Sequence, residues 1–242
     1  MAPPTSPETP TLPTTASPNG RSAPPDLGAA QLVLLTDPRS AAAEAYRTLR
    51  TNIQFASVDR DVRTIAITSP GAGDGKSTTL ANLAIAMAEG GHRVIVVDAD
   101  LRRPGLHTLF GLANQEGLTT AVLSDQSWLP LQDTPVPGLR LLTSGPLPPN
   151  PAELVGSRRL DRVLRLLREA ADYVLFDTPP AAALSDAATL AARVDGVILV
   201  IGAGRTKRDL ARRAKEQLER VKARILGVVL AGVRADTSLY AY

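Results

Sequence analysis

The sequence predicts an α/β protein built on a mostly parallel sheet that helices cover on both faces. Short, almost continuously apolar segments alternate with longer segments of helical periodicity, as in parallel strands and their crossover helices. A glycine-rich turn joins the first such strand to the helix after it. Two later strands end in aspartate, at the sheet edge where doubly wound folds collect their ligands. These three observations indicate the fold class.

The elements are predicted in order along the chain. A first helix is expected to start near Ser40, because apolar residues recur there at spacings of three and four. A β-branched run at 64–69 predicts the first strand, and a helix through about Glu89 follows the glycine turn. After a second strand at 93–100 and a less regular stretch, the remaining segments are strand 139–145, helix 152–171, strand 173–180, helix 185–194, strand 195–203, helix 206–223 and strand 224–232.

Composition is ordinary for a globular chain, with 44% hydrophobic and 21% charged residues among 242. The absence of cysteine excludes disulfides and cysteine-based metal or redox chemistry, and a cytoplasmic location fits. A net charge of +3 is too small to indicate nucleic acid, so no such partner is expected. No segment approaches the ~20 apolar residues of a membrane-spanning helix, and the N-terminus lacks a signal pattern.

Proline, serine and threonine dominate the N-terminus. Residues 1–35 are therefore predicted to form a disordered tail, because such a segment has little surface to bury. One α/β domain is expected over residues 36–234, followed by a short tyrosine-containing tail at 235–242.

The segment GAGDGKST has the setting of a phosphate-binding loop, since it follows a predicted strand and opens a helix. Its glycines would let backbone amides face phosphate oxygens, and the helix N-terminus adds partial positive charge. Lys76 would reach the β- and γ-phosphates of ATP, and the Ser77 hydroxyl would ligate Mg²⁺. Pro70 replaces the first glycine of the standard motif, so a turn that merely links strand to helix is the alternative. The predicted nucleotide-binding residues are Gly71, Ala72, Gly73, Asp74, Gly75, Lys76, Ser77 and Thr78.

Three aspartates end strands near this loop. Asp98 and Asp100 close the second strand, and Asp177 closes a later one. Alternate residues of a strand share a face, so Asp98 and Asp100 could both point toward one site. One carboxylate suffices to hold Mg²⁺, and further ones suggest a base that takes the proton of an attacking hydroxyl. The alternative is that Asp98 or Asp100 caps a turn.

In these residues the chain resembles the bacterial tyrosine kinases of capsule and exopolysaccharide systems, whose P-loop fold is of the deviant MinD/ParA type. SPGAGDGKST, VIVVDADLRRP and YVLFDTPP look like the family's Walker A, A′ and B motifs. EAYRTLRTNI resembles its Glu-x-x-Arg-x-x-Arg segment, and GPLPPNPAELVGS and LSDAATLAARVDGVILV also look like family sequence. The resemblance covers roughly the predicted domain and implies an ATP-dependent protein-tyrosine autokinase.

The resemblance also implies roles for individual residues. Lys76 would bind the nucleotide phosphates, and Asp98 and Asp100 would take part in metal binding and in activating the tyrosine hydroxyl. The implied catalytic residues are Lys76, Asp98, Asp100 and Asp177, and the implied Mg²⁺ ligands, direct or through water, are Ser77, Asp98 and Asp177. The implied contact of a ring-shaped homo-oligomer consists of Glu44, Arg47 and Arg50.

Two positions depart from the family pattern. Members usually end in a tyrosine cluster that is phosphorylated in trans, whereas SLYAY offers Tyr240 and Tyr242. An ordinary C-terminus is the alternative. Proline commonly stands at the position of Ala72, where alanine would leave the loop intact but less rigid.

Partners are implied by the family's two layouts, a kinase fused to a membrane-spanning chain-length regulator and a separate kinase. Without a spanning segment, this chain resembles the separate kinase, which the cytoplasmic segment of a membrane-anchored regulator activates. That layout implies a peripheral location at the inner face of the plasma membrane. A cognate tyrosine phosphatase is also expected.

Other functions remain open at this point. A ParA/MinD-type switch ATPase shares the sheet and the Walker B aspartate, but typically carries a lysine where Gly71 stands. A weakly catalytic ATP-binding scaffold would suit the sparse tyrosine tail. The basic segment 205–224 could meet anionic lipid or DNA, although Leu210, Ala214 and Leu218 give it an ordinary packing stripe.

Overall fold

The central feature of the computed structural model, which describes residues 31–57, 60–124 and 127–233, is a seven-stranded sheet. Its strands are β1 (Thr64–Thr68), β2 (Val94–Asp98), β3 (Gln132–Asp133), β4 (Leu139–Leu142), β5 (Tyr173–Asp177), β6 (Gly196–Gly202) and β7 (Ile225–Ala231). They lie in the order β3-β4-β2-β5-β1-β6-β7. Every neighbouring pair is parallel except β3 and β4. The predicted mostly parallel sheet is confirmed, and β3 is an edge strand that the sequence did not reveal.

Helices cover both faces of this sheet. They are α1 (Val33–Thr36), α2 (Ala41–Ala56), α3 (Lys76–Glu89), α4 (Leu106–Phe110), α5 (Leu118–Leu123), α6 (Pro151–Gly156), α7 (Arg158–Ala170), α8 (Ser185–Ala191) and α9 (Arg208–Arg220). The less regular stretch of the sequence thus contains α4 and α5. The single helix predicted at 152–171 is wrong, because the extended backbone of Ser157 (ψ 152°) separates α6 from α7.

Alternation along the strands divides the core between the two faces. On β1, Ile65 and Ile67 pack with α2 and α3, whereas Ala66 packs with α8 and α9. On β2, Ile95 and Val97 pack with α5 and α7. The strands are buried on both faces, which explains their nearly continuous apolar sequences.

The helical turn α1 corrects the predicted tail boundary. Residues 31–35 were assigned to a disordered tail, yet Leu32 and Leu34 are 4% and 2% exposed. The buried Asn82 of α3 donates from Nδ2 to the Gln31 carbonyl (2.9 Å) and accepts from the Leu34 amide (3.4 Å). Two leucines and these hydrogen bonds fix the turn against α3. Residues 1–30 and the predicted C-terminal tail, 235–242, lie outside the described residues.

None of the helices in the described ranges is long and apolar enough to cross a membrane. The strand order places the carboxyl ends of β1, β2 and β5 beside one another in the middle of the sheet. The loops that follow these three strands carry the residues predicted to bind nucleotide.

Candidate active site

The phosphate-binding loop connects β1 to α3, as predicted. Gly73 and Gly75 have φ angles of 81° and 96°, in the left-handed region that favours glycine. A Cβ atom on Gly75 would also lie 3.2 Å from the Cβ of Ala231, at the end of β7. α3 begins at Lys76, immediately after this turn, so its free amide groups face the loop.

Asp74 fixes the loop from behind. Its Oδ2 accepts the Gly71 amide (2.8 Å), and its Oδ1 accepts the hydroxyl of Thr206 (2.7 Å), which lies in the loop between β6 and α9. The Thr206 hydroxyl in turn accepts the Gly202 amide (2.9 Å). Gly71 and Asp74 were predicted among the nucleotide-binding residues, and in the structure the Gly71 amide and the Asp74 carboxylate contact each other.

Lys76 lies between Asp177, the last residue of β5, and Asp100, which follows the end of β2 in the loop rather than closing the strand as predicted. Its Nζ is 3.0 Å from Asp100 Oδ2 and 3.1 Å from both oxygens of Asp177. The Ser77 hydroxyl donates to Asp177 Oδ2 at 2.5 Å. Lys76, Ser77, Asp100 and Asp177, predicted separately from three segments, therefore meet in one cluster.

Burial shapes the electrostatics of this cluster. Burial raises the pKa of Asp177 above its ordinary value, although Lys76 and Ser77 favour the ionised form. For Lys76, burial disfavours the charged form, but the carboxylates of Asp177 and Asp100 outweigh it and raise its pKa. The lysine therefore stays protonated, as a residue that binds phosphate must.

Asp98, the last residue of β2, is fully buried. Its Oδ2 accepts the amides of Gly105 and Leu106, each at 3.0 Å. Among the described residues, its Oδ1 has no hydrogen-bond partner. Burial, followed by repulsion from Asp177, raises the pKa of Asp98 to about 7.

The unpartnered, buried Oδ1 of Asp98 belongs to a residue opposite Asp177, and Asp177 accepts the Ser77 hydroxyl; this set of oxygen atoms suits a hard divalent cation. Within the described ranges, no group of three or more His, Asp or Glu side chains could hold a metal ion by itself. Mg²⁺ characteristically uses one or two carboxylates and completes its shell with water and phosphate. The residues present therefore fit Mg²⁺ bound together with a nucleotide.

A cavity of about 690 Å³ opens beside the cluster, within the size range of small-molecule sites. The predicted residues that line it are Ala72, Gly73, Gly75, Lys76, Ser77, Thr78 and Asp100. Sequence reasoning missed Gln31, Arg102, Arg103, Pro179, Pro180, Ala183 and Leu184. All except Gln31 follow the strand-end aspartates, a position that could have identified them. Gln31, which accepts the Thr78 hydroxyl at 2.9 Å, carried no such signal.

The residues predicted to form an oligomer contact lie on α2, away from this cavity. Arg47 contacts Glu44 (3.4 Å), the Pro38 carbonyl (2.9 Å) and Glu89 (3.6 Å). Arg50 donates from Nη1 to the Ala86 carbonyl (2.8 Å), near the C-terminus of α3. All three have contacts within the chain, and the oligomer contact stays a prediction. Tyr240 and Tyr242 lie outside the described residues.

Comparison with known proteins identifies the family. A family model described as ParA, NUBPL iron-transfer P-loop NTPase, matches residues 61–232. The tyrosine-protein kinase YwqD of Bacillus subtilis is 45% identical over 213 residues, covering 87% of this chain and 90% of that relative. The chain belongs to the bacterial tyrosine kinases.

Other members of the bacterial tyrosine kinases support the assignment. The putative tyrosine-protein kinase CapB of Staphylococcus aureus is 33% identical over 208 residues, covering 85% and 91% of the two chains. The kinase domain of Escherichia coli tyrosine kinase ETK superposes with a TM-score of 0.80 at 32% identity, covering 87% and 83%. MinD of Pyrococcus horikoshii, at 24% identity and a TM-score of 0.60 over 72% of each chain, shares the fold alone.

Proposed function

We propose that this chain is an ATP-dependent protein-tyrosine autokinase that regulates capsule or exopolysaccharide synthesis and export. The observation that carries the proposal is the position of the Lys76 ammonium between Asp100 and Asp177 at the start of the P-loop helix. This chain, which contains the cluster, is 45% identical to a tyrosine-protein kinase. Phosphoryl transfer needs such a cation, and a carboxylate close to it.

The nucleotide in this proposal is ATP with Mg²⁺. The amides of the loop and the ammonium of Lys76 would bind the β- and γ-phosphates, displacing the contacts that Lys76 makes with the aspartates. Ser77, Asp177 and Asp98 would hold Mg²⁺, directly or through water. The ion would supply positive charge that neutralises the transferring group and the leaving diphosphate.

In the transfer step, the tyrosine oxygen forms a bond to the γ-phosphorus as the bond from that phosphorus to the β,γ-bridging oxygen breaks. ADP leaves, and the proton of the tyrosine hydroxyl passes to a carboxylate. Asp100 suits this base role because it lines the cavity and is 4% exposed. Asp98, whose Oδ2 accepts two amides and whose Oδ1 is unpartnered among the described residues, suits the metal role better.

The kinase would act together with other copies of itself, a membrane-anchored activator and a phosphatase. Tyr240 and Tyr242 would be the autophosphorylated residues, reached in trans within a ring-shaped homo-oligomer. The cytoplasmic segment of a membrane-anchored chain-length regulator would activate the kinase and hold it at the inner face of the plasma membrane. A cognate phosphatase would remove the phosphate.

A ParA/MinD-type switch ATPase is the rival function. Such proteins typically carry a lysine at the position of Gly71, where a Cβ would already lie 3.3 Å from Leu210 and 3.4 Å from Asp74. Gly71 supplies no such ammonium group, and this absence supports the kinase over the switch ATPase.

The test is intact-mass analysis after incubation with ATP and Mg²⁺, with the regulator's cytoplasmic segment added, followed by peptide mapping. We expect phosphate on Tyr240 or Tyr242 in the wild type and none in Lys76→Met. That variant leaves Asp100 and Asp177 buried without their cation, so circular dichroism should show a folded protein of reduced stability. Lys207→Met, which changes an exposed lysine, is the matched control.

Two outcomes would overturn the proposal. Steady ATP hydrolysis without phosphotyrosine would favour the switch ATPase. Label on the Lys76→Met protein would show that the transfer site lies elsewhere.

A further inference from the structure

An ion pair joins the two loops that leave β2 and β5. Arg102, four residues after Asp98, donates from Nε to Asp186 Oδ2 (2.7 Å) and from Nη2 to Asp186 Oδ1 (3.3 Å). This is the two-pronged geometry in which arginine holds a carboxylate most strongly and in a defined orientation. Asp186 lies in the first turn of α8.

The carboxylate of Asp186 is held in a buried position. The residue is 3% exposed, whereas the Arg102 side chain is 39% exposed. Among the described residues, Arg102 is the one side chain that donates hydrogen bonds to this carboxylate. A buried carboxylate is costly unless it is paired, so Arg102 is constrained to stay where Asp186 holds it.

The pair connects two walls of the nucleotide cavity. Arg102 and Arg103 line the cavity from the loop after β2, and Ala183 and Leu184 line it from the loop that leads into α8. Asp186 follows Leu184 by two residues. The separation of the two walls therefore depends on the pair.

The same loop positions the catalytic cluster. The Arg103 amide donates to Asp100 Oδ1 (3.1 Å), and Asp100 Oδ2 lies 3.0 Å from Lys76 Nζ. A chain of direct contacts thus runs from Arg102 through its neighbour to Asp100 and Lys76. A displacement of Arg102 would therefore move Asp100 relative to Lys76.

We propose that Arg102 and Asp186 form a positioning pair that fixes the two cavity walls and places Asp100 beside Lys76 for phosphoryl transfer. The inference rests on the proposed kinase function and assigns no direct chemistry to Asp186. Catalysis by oriented groups is sensitive to displacements of about 1 Å, so loss of the pair should slow transfer more than it weakens nucleotide binding. In the proposed site the phosphates would bind mainly to the amides of the loop and to Lys76, and Arg102 and Asp186 contact neither the loop nor Lys76 in the hydrogen bonds described above.

The chain offers a matched control at the opposite end of the same two strands. Arg93 precedes β2, Asp172 precedes β5, and their side chains are joined at 2.7 Å between Nη2 and Oδ1. Both side chains are exposed, at 63% and 39%, and neither lines the nucleotide cavity. Asp172→Asn therefore removes an arginine–aspartate pair between the same strands without touching the site.

The experiment compares Asp186→Asn, Asp172→Asn and Arg102→Lys with the wild type. ADP–Mg²⁺ affinity is measured by titration, and transfer kinetics are measured with the Lys76→Met chain as acceptor. For Asp186→Asn we expect kcat to fall about tenfold or more while ADP affinity stays within about threefold. Asp172→Asn should match the wild type. Arg102→Lys keeps the charge but loses the two-pronged geometry, so it should remain folded and also lose kcat.

Equal kcat values for Asp186→Asn and Asp172→Asn would overturn the positioning pair, as would a loss of ADP binding in proportion to transfer. If Asp186→Asn does not fold, Arg102→Lys decides, and a wild-type kcat in that variant refutes the proposal. A wild type that makes no phosphotyrosine would instead refute the proposed function. The kcat for ATP hydrolysis would then test the pair: we expect it to fall in Asp186→Asn and Arg102→Lys and to stay at the wild-type value in Asp172→Asn.

Discussion

Asp98 and Asp177 lie directly opposite each other at the last positions of the adjacent parallel strands β2 and β5. Both are buried, and each carboxylate raises the energy of the other when both are ionised. Lys76 contacts Asp177 but makes no hydrogen bond to Asp98. A cation bound beside these two carboxylates would relieve the repulsion between them.

Asp98→Asn should stabilise the metal-free protein and abolish tyrosine phosphorylation. The folded-state pKa of Asp98, about 7, lies above its ordinary value of 3.8, so the folded protein binds this proton more tightly than the unfolded chain does. Its contribution to stability is present at low pH and is lost as pH rises toward 7. Asparagine cannot ionise and avoids this loss, so we expect a higher Tm than that of the wild type at about pH 8 and little difference at about pH 4.

Thermal denaturation in EDTA across this pH range measures the effect. Asp133→Asn, an exposed change on β3, is the control and should alter neither Tm nor its pH dependence. An Asp98→Asn protein that is destabilised equally at every pH would contradict the prediction.

Gly75→Ala should weaken nucleotide binding. Alanine is strained by about 1–2 kcal/mol at a φ of 96°, and its Cβ would approach Ala231 to 3.2 Å. The loop must move to relieve the backbone strain or the close contact with Ala231, so ADP affinity should fall by about tenfold or more. Isothermal titration measures it. Gly156→Ala, in α6 with open space around it, should bind ADP as the wild type does.

Thr206→Val should loosen the phosphate-binding loop although Thr206 does not line the cavity. The substitution removes the hydroxyl that bridges Asp74 and the Gly202 amide, leaving a buried carboxylate with one donor fewer. We expect about 1–3 kcal/mol lower stability and faster amide exchange in the loop. Thr108→Val, on an exposed position of α4, is the control. Unchanged exchange in the loop would show that Asp74 does not depend on this contact.

Arg50→Ala should lower the free energy of unfolding more than Arg47→Ala does, whereas both changes should weaken the predicted oligomer contact. Arg50 donates to a carbonyl of the last turn of α3, so its loss should cost about 1 kcal/mol, whereas the mostly exposed contacts of Arg47 should cost less. If both arginines contact a second copy, light scattering should show smaller assemblies for the double variant. An unchanged mass would remove the predicted oligomer contact.

Much of the fold could be predicted because its central strands are buried on both faces. β1, β2 and β5 read as uninterrupted apolar runs, and the glycine turn before Lys76 requires left-handed backbone that only glycine adopts readily. The meeting of Asp98 and Asp177 follows from parallel strands that end at one edge.

Other features depend on contacts distant in sequence and left no local signal. β3 has two residues, too few for a periodic pattern, and forms because β4 lies beside it. The sequence placed Asp74 among the nucleotide-binding residues. It could not show that Thr206, in the loop after β6, donates a hydrogen bond to the Asp74 carboxylate. The pairing of Asp186 with Arg102 could not be predicted either, because the two residues are far apart in sequence.

The central position of β1 has a consequence for synthesis of the chain. Its neighbours are β5 and β6, with Thr64 opposite Val174 and Ile65 opposite Gly196, so its partners leave the ribosome long after it does. Pairings of such long sequence separation form slowly, because the loop must close before the contacts can stabilise it. Until β5 and β6 have been translated, the apolar residues of β1 lack their partner strands and are open to aggregation.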